Sequence, residues 1–278
     1  MSIKISAADV NKLRQQTGAG MMDCKKALVE AGGDFEAAID YLRKKGAKVS
    51  ASRSDREAQE GAVIAKTTAD GKEGVIIELN CETDFVAKNA DFVAFAEDIA
   101  NAAIENKPAS LEELLSLQLN GVSISDRVLD ETGKIGEKIA LSTYETLSAE
   151  KVVAYVHGNN RIGVLVGLNA DGEGVEEAGK DVAMQIAAMN PAAVDKDDVD
   201  QAIVDRELEI AREQVRAEGK PENMLDKIAQ GKLNKFYKEN TLLNQEFVKD
   251  SSKTVRQMLE QIQPGLSVTT FKRKMLGS

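Results

Sequence analysis

The 278-residue chain sets 36 Lys and Arg against 46 Asp and Glu. The resulting formal charge of −10 argues against direct nucleic-acid binding, which needs a concentrated basic face. With no tryptophan, one histidine (His157) and two cysteines (Cys24 and Cys81), the composition excludes a His-rich zinc site and a disulfide framework. Any nucleophile–histidine engine would have to share that single imidazole. No apolar run approaches the roughly 20 residues of a membrane helix. Met1-Ser2-Ile3-Lys4 lacks the apolar stretch of a secretory signal, so a cytoplasmic setting is expected. No phosphate-cradling glycine signature is present, and no cofactor is expected.

Ser6 opens the first predicted helix, which runs to Thr17. Asp9 stands three residues on, as a capping box requires, and Val10, Leu13 and Arg14 continue the face. Gly18-Ala19-Gly20 breaks it. A second helix is expected from Met22 to Ala31, stopped by Gly32-Gly33. A third, capped by Asp34, carries Phe35, Ala38, Ile39 and Leu42 and ends at Gly46. Residues 1–47 thus read as a three-helix domain that resembles the ubiquitin-associated type. Met21-Met22, after the glycine-rich loop, is either core filler or a soft, adaptable contact surface. Residues 48–60 are polar, hold no apolar period and read as a linker.

A duplication follows. Ala62–Ala65, a turn at Asp70-Gly71 and Gly74–Leu79 make a strand-turn-strand, and Phe92, Phe95, Ala96, Ile99 and Ala103 then recur at helical spacing. The same order returns in Val152–Val156, a turn at Gly158-Asn159-Asn160, Ile162–Val166 and a helix carrying Val182, Met184, Ile186 and Met189. Setting Gly74 on Gly163 gives an offset of 89 residues, which is expected to superpose the two helices within about one residue. The fold class is therefore α+β: a duplicated core of antiparallel strands backed by helices, with an N-subdomain over 61–143 and a C-subdomain over 144–278. Between the copies, Leu111 to Ile139 is less regular, with Leu111, Leu114, Leu115 and Leu117 helically spaced and Gly121 and Gly136 as breaks.

Within the second copy, Ile203, Val204, Leu208, Ala211 and Val215 form a seam on an acid- and arginine-rich helix. Gly219-Lys220-Pro221 turns the chain, with Pro221 placed to open the return helix of Met224, Leu225, Ile228, Ala229, Leu233 and Phe236. Residues 197–240 thus read as an inserted antiparallel coiled-coil hairpin with arms roughly 30 Å long. It would serve dimerisation, contact a second partner or simply stiffen the subdomain. A short helix from Lys253 to Ile262 and an alternating strand over Leu266–Phe271 close the chain.

Asn80-Cys81-Glu82-Thr83-Asp84-Phe85-Val86 lies where the buried strand Gly74–Leu79 gives way to helix. Thr83 or Asp84 capping a helical turn, with Phe85 filling a core, is the plain reading. The sharper one is an acid and an aromatic that project past the sheet as a wedge for a partner's site. The second copy has no such residues at the matching place.

Thr17-Gly18-Ala19-Gly20-Met21-Met22-Asp23-Cys24-Lys25-Lys26-Ala27-Leu28, Asn80–Ala87, and His157-Gly158 with Arg161–Val166 together resemble the bacterial elongation factor Ts family, over nearly the whole chain. That resemblance implies a non-enzymatic guanine-nucleotide exchange factor for elongation factor Tu in translation. It assigns Thr83, Asp84, Phe85 and Val86 to insertion beside the partner's magnesium site, and Arg14, Met21, Met22 and His157 to further partner contacts. A homodimer or two-to-two complex, through the core or the coiled coil, belongs to the same expectation. The other classes open to the sequence are a binding adaptor, recognising a ubiquitin-like or nascent-chain ligand, and a thiol or acid–base enzyme using Cys24, Cys81 or His157.

Overall fold

The computed structural model describes residues 5–53, 55–219, 221 and 224–278. The Met1–Lys4 start, Ser54 of the expected linker and Lys220 of the expected turn lie outside them. Helix α1 (Ala7–Thr17) begins as its spacing predicts: the Asp9 amide donates to Ser6 Oγ at 3.1 Å, and the Asp9 carboxylate accepts the Ser6 amide at 3.2 Å. It buries Val10 and Leu13 against Cys24, Ala27 and Leu28 of α2 (Met21–Glu30) and Ala38 of α3 (Phe35–Ser52). Helix α3 does not stop at Gly46. A side chain there would meet the backbone of a later helix, α7 (Ile124–Ile135): a Cβ on Gly133 would lie 2.6 Å from Gly46 Cα. Gly46 therefore serves a close helix crossing rather than a helix end. Residues 48–52 of the expected linker are its continuation.

Strands β1 (Glu60–Thr67) and β2 (Glu73–Cys81) form an antiparallel hairpin, which leads through α4 (Asp84–Ala87) into α5 (Ala90–Asn106). After α6 (Leu111–Ser116), the short pair β3 (Gln118–Leu119) and β4 (Val122–Ser123), and α7, strand β5 (Ala140–Ser148) returns to pair with β2. The boundary expected at 143/144 thus falls inside a strand of the first sheet. The second sheet repeats the plan with β6 (Lys151–His157), β7 (Ile162–Leu168) and the closing strand β10 (Val268–Met275), in the order β10-β7-β6 against β1-β2-β5. Helix α5 backs the first sheet, and α8 (Val175–Met189) backs the second.

The bare faces of the sheets pack on each other through Val63, Ile76, Leu147, Val152, Leu165 and Leu276. Central strands β2 and β7 are consequently buried on both sides, which is why they read as continuous apolar runs. The packing is nearly two-fold. A Cβ on Gly74 would sit 2.7 Å from Leu165 and 2.9 Å from Val152, and one on Gly163 would sit 2.7 Å from Val63 and 3.6 Å from Ile76. At the offset of 89, Val63 corresponds to Val152 and Ile76 to Leu165, so each glycine receives the other copy's equivalent side chains. The backbone obeys the same relation. The Val63 amide donates to Asn160 O at 2.8 Å, and the Val152 amide to Gly71 O at 2.6 Å.

The backing helices depart from that offset. Buried positions Phe92, Phe95, Ala96, Ile99, Ala100, Ala102 and Ala103 of α5 match Val175, Ala178, Gly179, Val182, Ala183, Gln185 and Ile186 of α8, an offset of 83 rather than 89. The expectation of one common offset is corrected accordingly: the first copy has six more residues between strand and helix, and α4 lies among them.

Helices α9 (Gln201–Ala217) and α10 (Leu225–Asn240) run back along each other as the inserted hairpin. With 17 and 16 residues, the arms are about 25 Å long rather than 30 Å. Helix α10 opens at Leu225, beyond Pro221. The hairpin's base is stitched by the Ala192 amide to Asn240 O and the Leu242 amide to Ala193 O, at 2.7 and 2.9 Å. Short strands β8 (Glu246–Phe247) and β9 (Asp250–Thr254) lead into α11 (Val255–Ile262), which packs Val255, Met258 and Leu259 on the second core, and then into β10.

Candidate functional site

Strand β2 ends at Cys81, whose buried thiol donates to Thr83 O at 3.2 Å. Burial, reinforced by the Glu137 carboxylate, pushes that thiol up to about 12. Thr83 then caps α4: its hydroxyl oxygen accepts the Val86 amide at 3.5 Å. Val86 and Ala87 turn inward onto the first core. Phe85 points away and is 84% exposed, with no buried residue beside it on this single turn. The cap half of the plain sequence reading therefore holds and its core half does not. Exposing a phenyl ring forgoes about 1.5–3 kcal/mol of burial. Asp84, beside it, pairs with Lys88 at 2.6 Å, and this hydrogen bond holds its carboxyl below the usual range.

The turn is fastened at two consecutive residues. Burial disfavours the Glu82 carboxylate, but the Lys138 amide at 2.6 Å and the Arg56 and Arg53 guanidiniums at 2.9 Å outweigh it and hold the group at about 2. Thr83 is gripped by Glu137, which accepts its amide at 3.0 Å and its hydroxyl at 2.8 Å. Sequence reasoning missed Glu82, Arg53, Arg56 and Glu137. Glu137 lies 54 positions from Thr83, and no local pattern links the two.

His157 ends β6 on the surface, its Nδ1 2.8 Å from the Tyr155 hydroxyl. Gly158, Asn159 and Asn160 follow with φ of 63°, 53° and 64°, left-handed values that glycine and asparagine tolerate best. This turn reaches the first sheet at the end from which α4 leaves. Arg161 pairs with Glu60 at 3.0 Å, and Glu60 lies opposite Cys81 in the ladder. The structure thus brings the His157 turn and the Thr83–Val86 segment to one sheet end.

Arg14, Met21 and Met22 belong to the three-helix bundle, which is joined to this end through the α3–α7 crossing and the Arg53 and Arg56 contacts. Arg14 is exposed on the last turn of α1. Met21 and Met22 occupy the first turn of α2 at 57% and 72% exposure, so they are not core filler. Among the described residues, no His, Cys, Asp and Glu cluster could hold a metal ion, and no helix is long and apolar enough to cross a membrane.

A family model described as elongation factor TS matches residues 82–278. Curated proteins named elongation factor Ts align over nearly the full length of both chains. The one from Cytophaga hutchinsonii is 58% identical, covering 97% of this chain and 98% of its own. Those from Amoebophilus asiaticus and Christiangramia forsetii are 56% and 53% identical, each covering 99% of both chains. The chain therefore belongs to the bacterial elongation factor Ts family, and its role lies in the elongation stage of translation.

Proposed function

We propose that this chain is a guanine-nucleotide exchange factor that binds elongation factor Tu in its GDP form, disturbs the magnesium site there and releases GDP so that GTP can enter. One observation carries the reading: Phe85 stands almost fully exposed on a short turn that is braced on two sides. Magnesium demands near-ideal octahedral geometry at about 2.0–2.1 Å and links nucleotide phosphates to protein. A phenyl ring inserted beside it need shift the surrounding groups only slightly for GDP to lose its neutralising ion. By reciprocity, the factor by which this chain weakens GDP binding is the factor by which GDP weakens binding of this chain. A pool rich in GTP then separates the pair.

Thr83 and Val86 shape the wedge, Asp84 accompanies the ring, and Arg14, Met21, Met22 and His157 extend the contact. The chain performs no bond chemistry of its own in this reading, needs no cofactor and works in the cytoplasm. The burial of both thiols favours it over a thiol enzyme. The three-helix bundle is a ubiquitin-associated-like docking domain, the paired sheets are a duplicated core, and α9 with α10 forms a coiled-coil arm available for a second partner contact or a two-to-two assembly.

Release of fluorescent GDP from elongation factor Tu, with and without this chain and across magnesium concentrations, tests the reading. Truncating an aromatic anchor costs about 2 kcal/mol or more, roughly 30-fold. Phe85→Ala is therefore expected to slow stimulated release at least that much while leaving the melting curve in place. Equal release by the Phe85→Ala and unaltered chains would refute the wedge.

A further inference from the structure

The Phe85 ring is carried by a four-residue helix, far too short to stand by itself. Its own cap is weak, with the Val86 amide 3.5 Å from Thr83 Oγ. The stronger hold comes from outside the turn. One Glu137 oxygen accepts the Thr83 amide and the other accepts the Thr83 hydroxyl, at 3.0 and 2.8 Å. Both are charge-assisted bonds, the stronger class. Glu137 follows Gly136, the left-handed cap of α7 at φ 80°. A carboxylate just past a helix C-terminus is disfavoured by the helix dipole. Its placement therefore does nothing for α7 and is explained by what it grips.

We propose that Glu137 is the positioning residue for Phe85: by holding Thr83 through two groups at once, it fixes the direction in which the ring leaves the sheet. The same geometry ties that direction to the three-helix bundle. Helix α7, which ends two residues before Glu137, is crossed by α3 at Gly46 and Gly133, and the chain just beyond α3 supplies Arg53 and Arg56 to Glu82, the residue before Thr83. Glu82 and Thr83 are thus gripped from the far end of α7 and the far end of α3, so a bundle docked on a partner also sets where the ring points. The effect of Glu137 on GDP release rests on the exchange-factor reading above, whereas its effect on the ring does not.

The test uses the full chain with 4-fluorophenylalanine at its seven phenylalanine positions. The Phe85 signal is assigned by its loss in Phe85→Leu. In Glu137→Ala the Phe85 fluorine resonance should move toward the free amino acid's position and narrow, with the other resonances unchanged. The maximal rate of stimulated GDP release should fall roughly ten-fold, while the half-saturating concentration stays within about two-fold. Glu137→Gln keeps an acceptor for the Thr83 hydroxyl but turns an amide donor toward the Thr83 N–H, so it should fall between. Thr83→Val, which keeps the amide and loses the hydroxyl, gives an independent route to the same loss should Glu137→Ala not fold. An unmoved Phe85 resonance in folded variants, or an equal loss in rate and half-saturation, would overturn the role. If the unaltered chain fails to stimulate release at all, the exchange reading falls and the fluorine resonance alone decides on Glu137.

Discussion

Gly163→Ala tests the near two-fold packing on which the site is built. The added methyl would lie 2.7 Å from Val63 Cγ1, with Ala65 Cβ and Ile76 Cγ2 at 3.6 Å. Val63 is fully buried and β-branched, so its single favoured rotamer leaves it little room to yield. Overpacking of this kind costs about 1–3 kcal/mol, partly offset by the roughly 0.5–1 kcal/mol that alanine gains over glycine in a strand. A net loss of about 1–2 kcal/mol corresponds to a melting point lower by about 2–8 °C for a chain of this size. Val63→Ala alone should destabilise by about 2 kcal/mol through lost burial and a cavity. Combined with Gly163→Ala, it removes the clash, so the pair should be less harmful than the two effects added, by about 1 kcal/mol. Thermal and urea unfolding of the three variants measure this. A Gly163→Ala chain that melts no lower than the unaltered one, or strict additivity in the pair, would show that the sheets do not pack as described.

Two more outcomes follow from the groups around Thr83 and Phe85. Glu82 is held at about 2 in the folded chain against an ordinary value of 4.5, so its contribution is complete above pH 4.5 and is lost as pH falls toward 2. Urea unfolding of Glu82→Gln should therefore lack part of the acid limb in that window, on the order of 1–3 kcal/mol, and an unchanged limb would contradict the bracket. Both cysteines are fully buried, and Cys81 is pushed up to about 12. A thiol-specific dye at pH 8 should label neither in the native chain and both in urea, and rapid native labelling would place a thiol on the surface.

Much of this architecture could be read in order along the chain because its causes are local. The Ser6–Asp9 capping box, the apolar period of α5 and the continuous apolar run of β2 each depend on residues within a turn or two of one another. The strand offset was legible for the same reason: it is a repeat of local patterns. Gly46 was misread because glycine ends helices and also lets helices touch, and only the partner helix, almost 90 positions later, distinguishes the two. Strand β5 is not legible as a unit, and the boundary expected at 143/144 falls within it, because as an edge strand it alternates only weakly between buried and exposed positions. At the candidate site, Thr83, Asp84, Phe85 and Val86 are conspicuous in the sequence, whereas Glu137, Arg53 and Arg56 are not. A carboxylate that acts at a distance of 54 residues leaves no periodicity behind.

The difference between the two copies bears on how the site arose in the fold. Each central strand is locked on both faces, by a helix on one side and by the other sheet on the other, and the reciprocal glycines leave no room for either copy to change there. Variation is tolerated only where the strand leaves that sandwich, at the link to the backing helix. In the second copy the link is short, from Leu168 to a helix that starts at Val175. In the first it is six residues longer relative to the buried pattern, long enough for one helical turn that need not pack. A free turn of that length would wander, since it has no helical stability of its own. Each copy has a helix between its backing helix and its third strand that ends beside the link: in the first, α7 delivers Glu137 to Thr83, whereas in the second, α11 ends with Ile262 and Gln263 against Gly174 and Gly172. An exposed aromatic held to one direction thus requires both the longer link and the carboxylate that follows α7; the second copy has the corresponding helix, but its link is too short to carry such a turn.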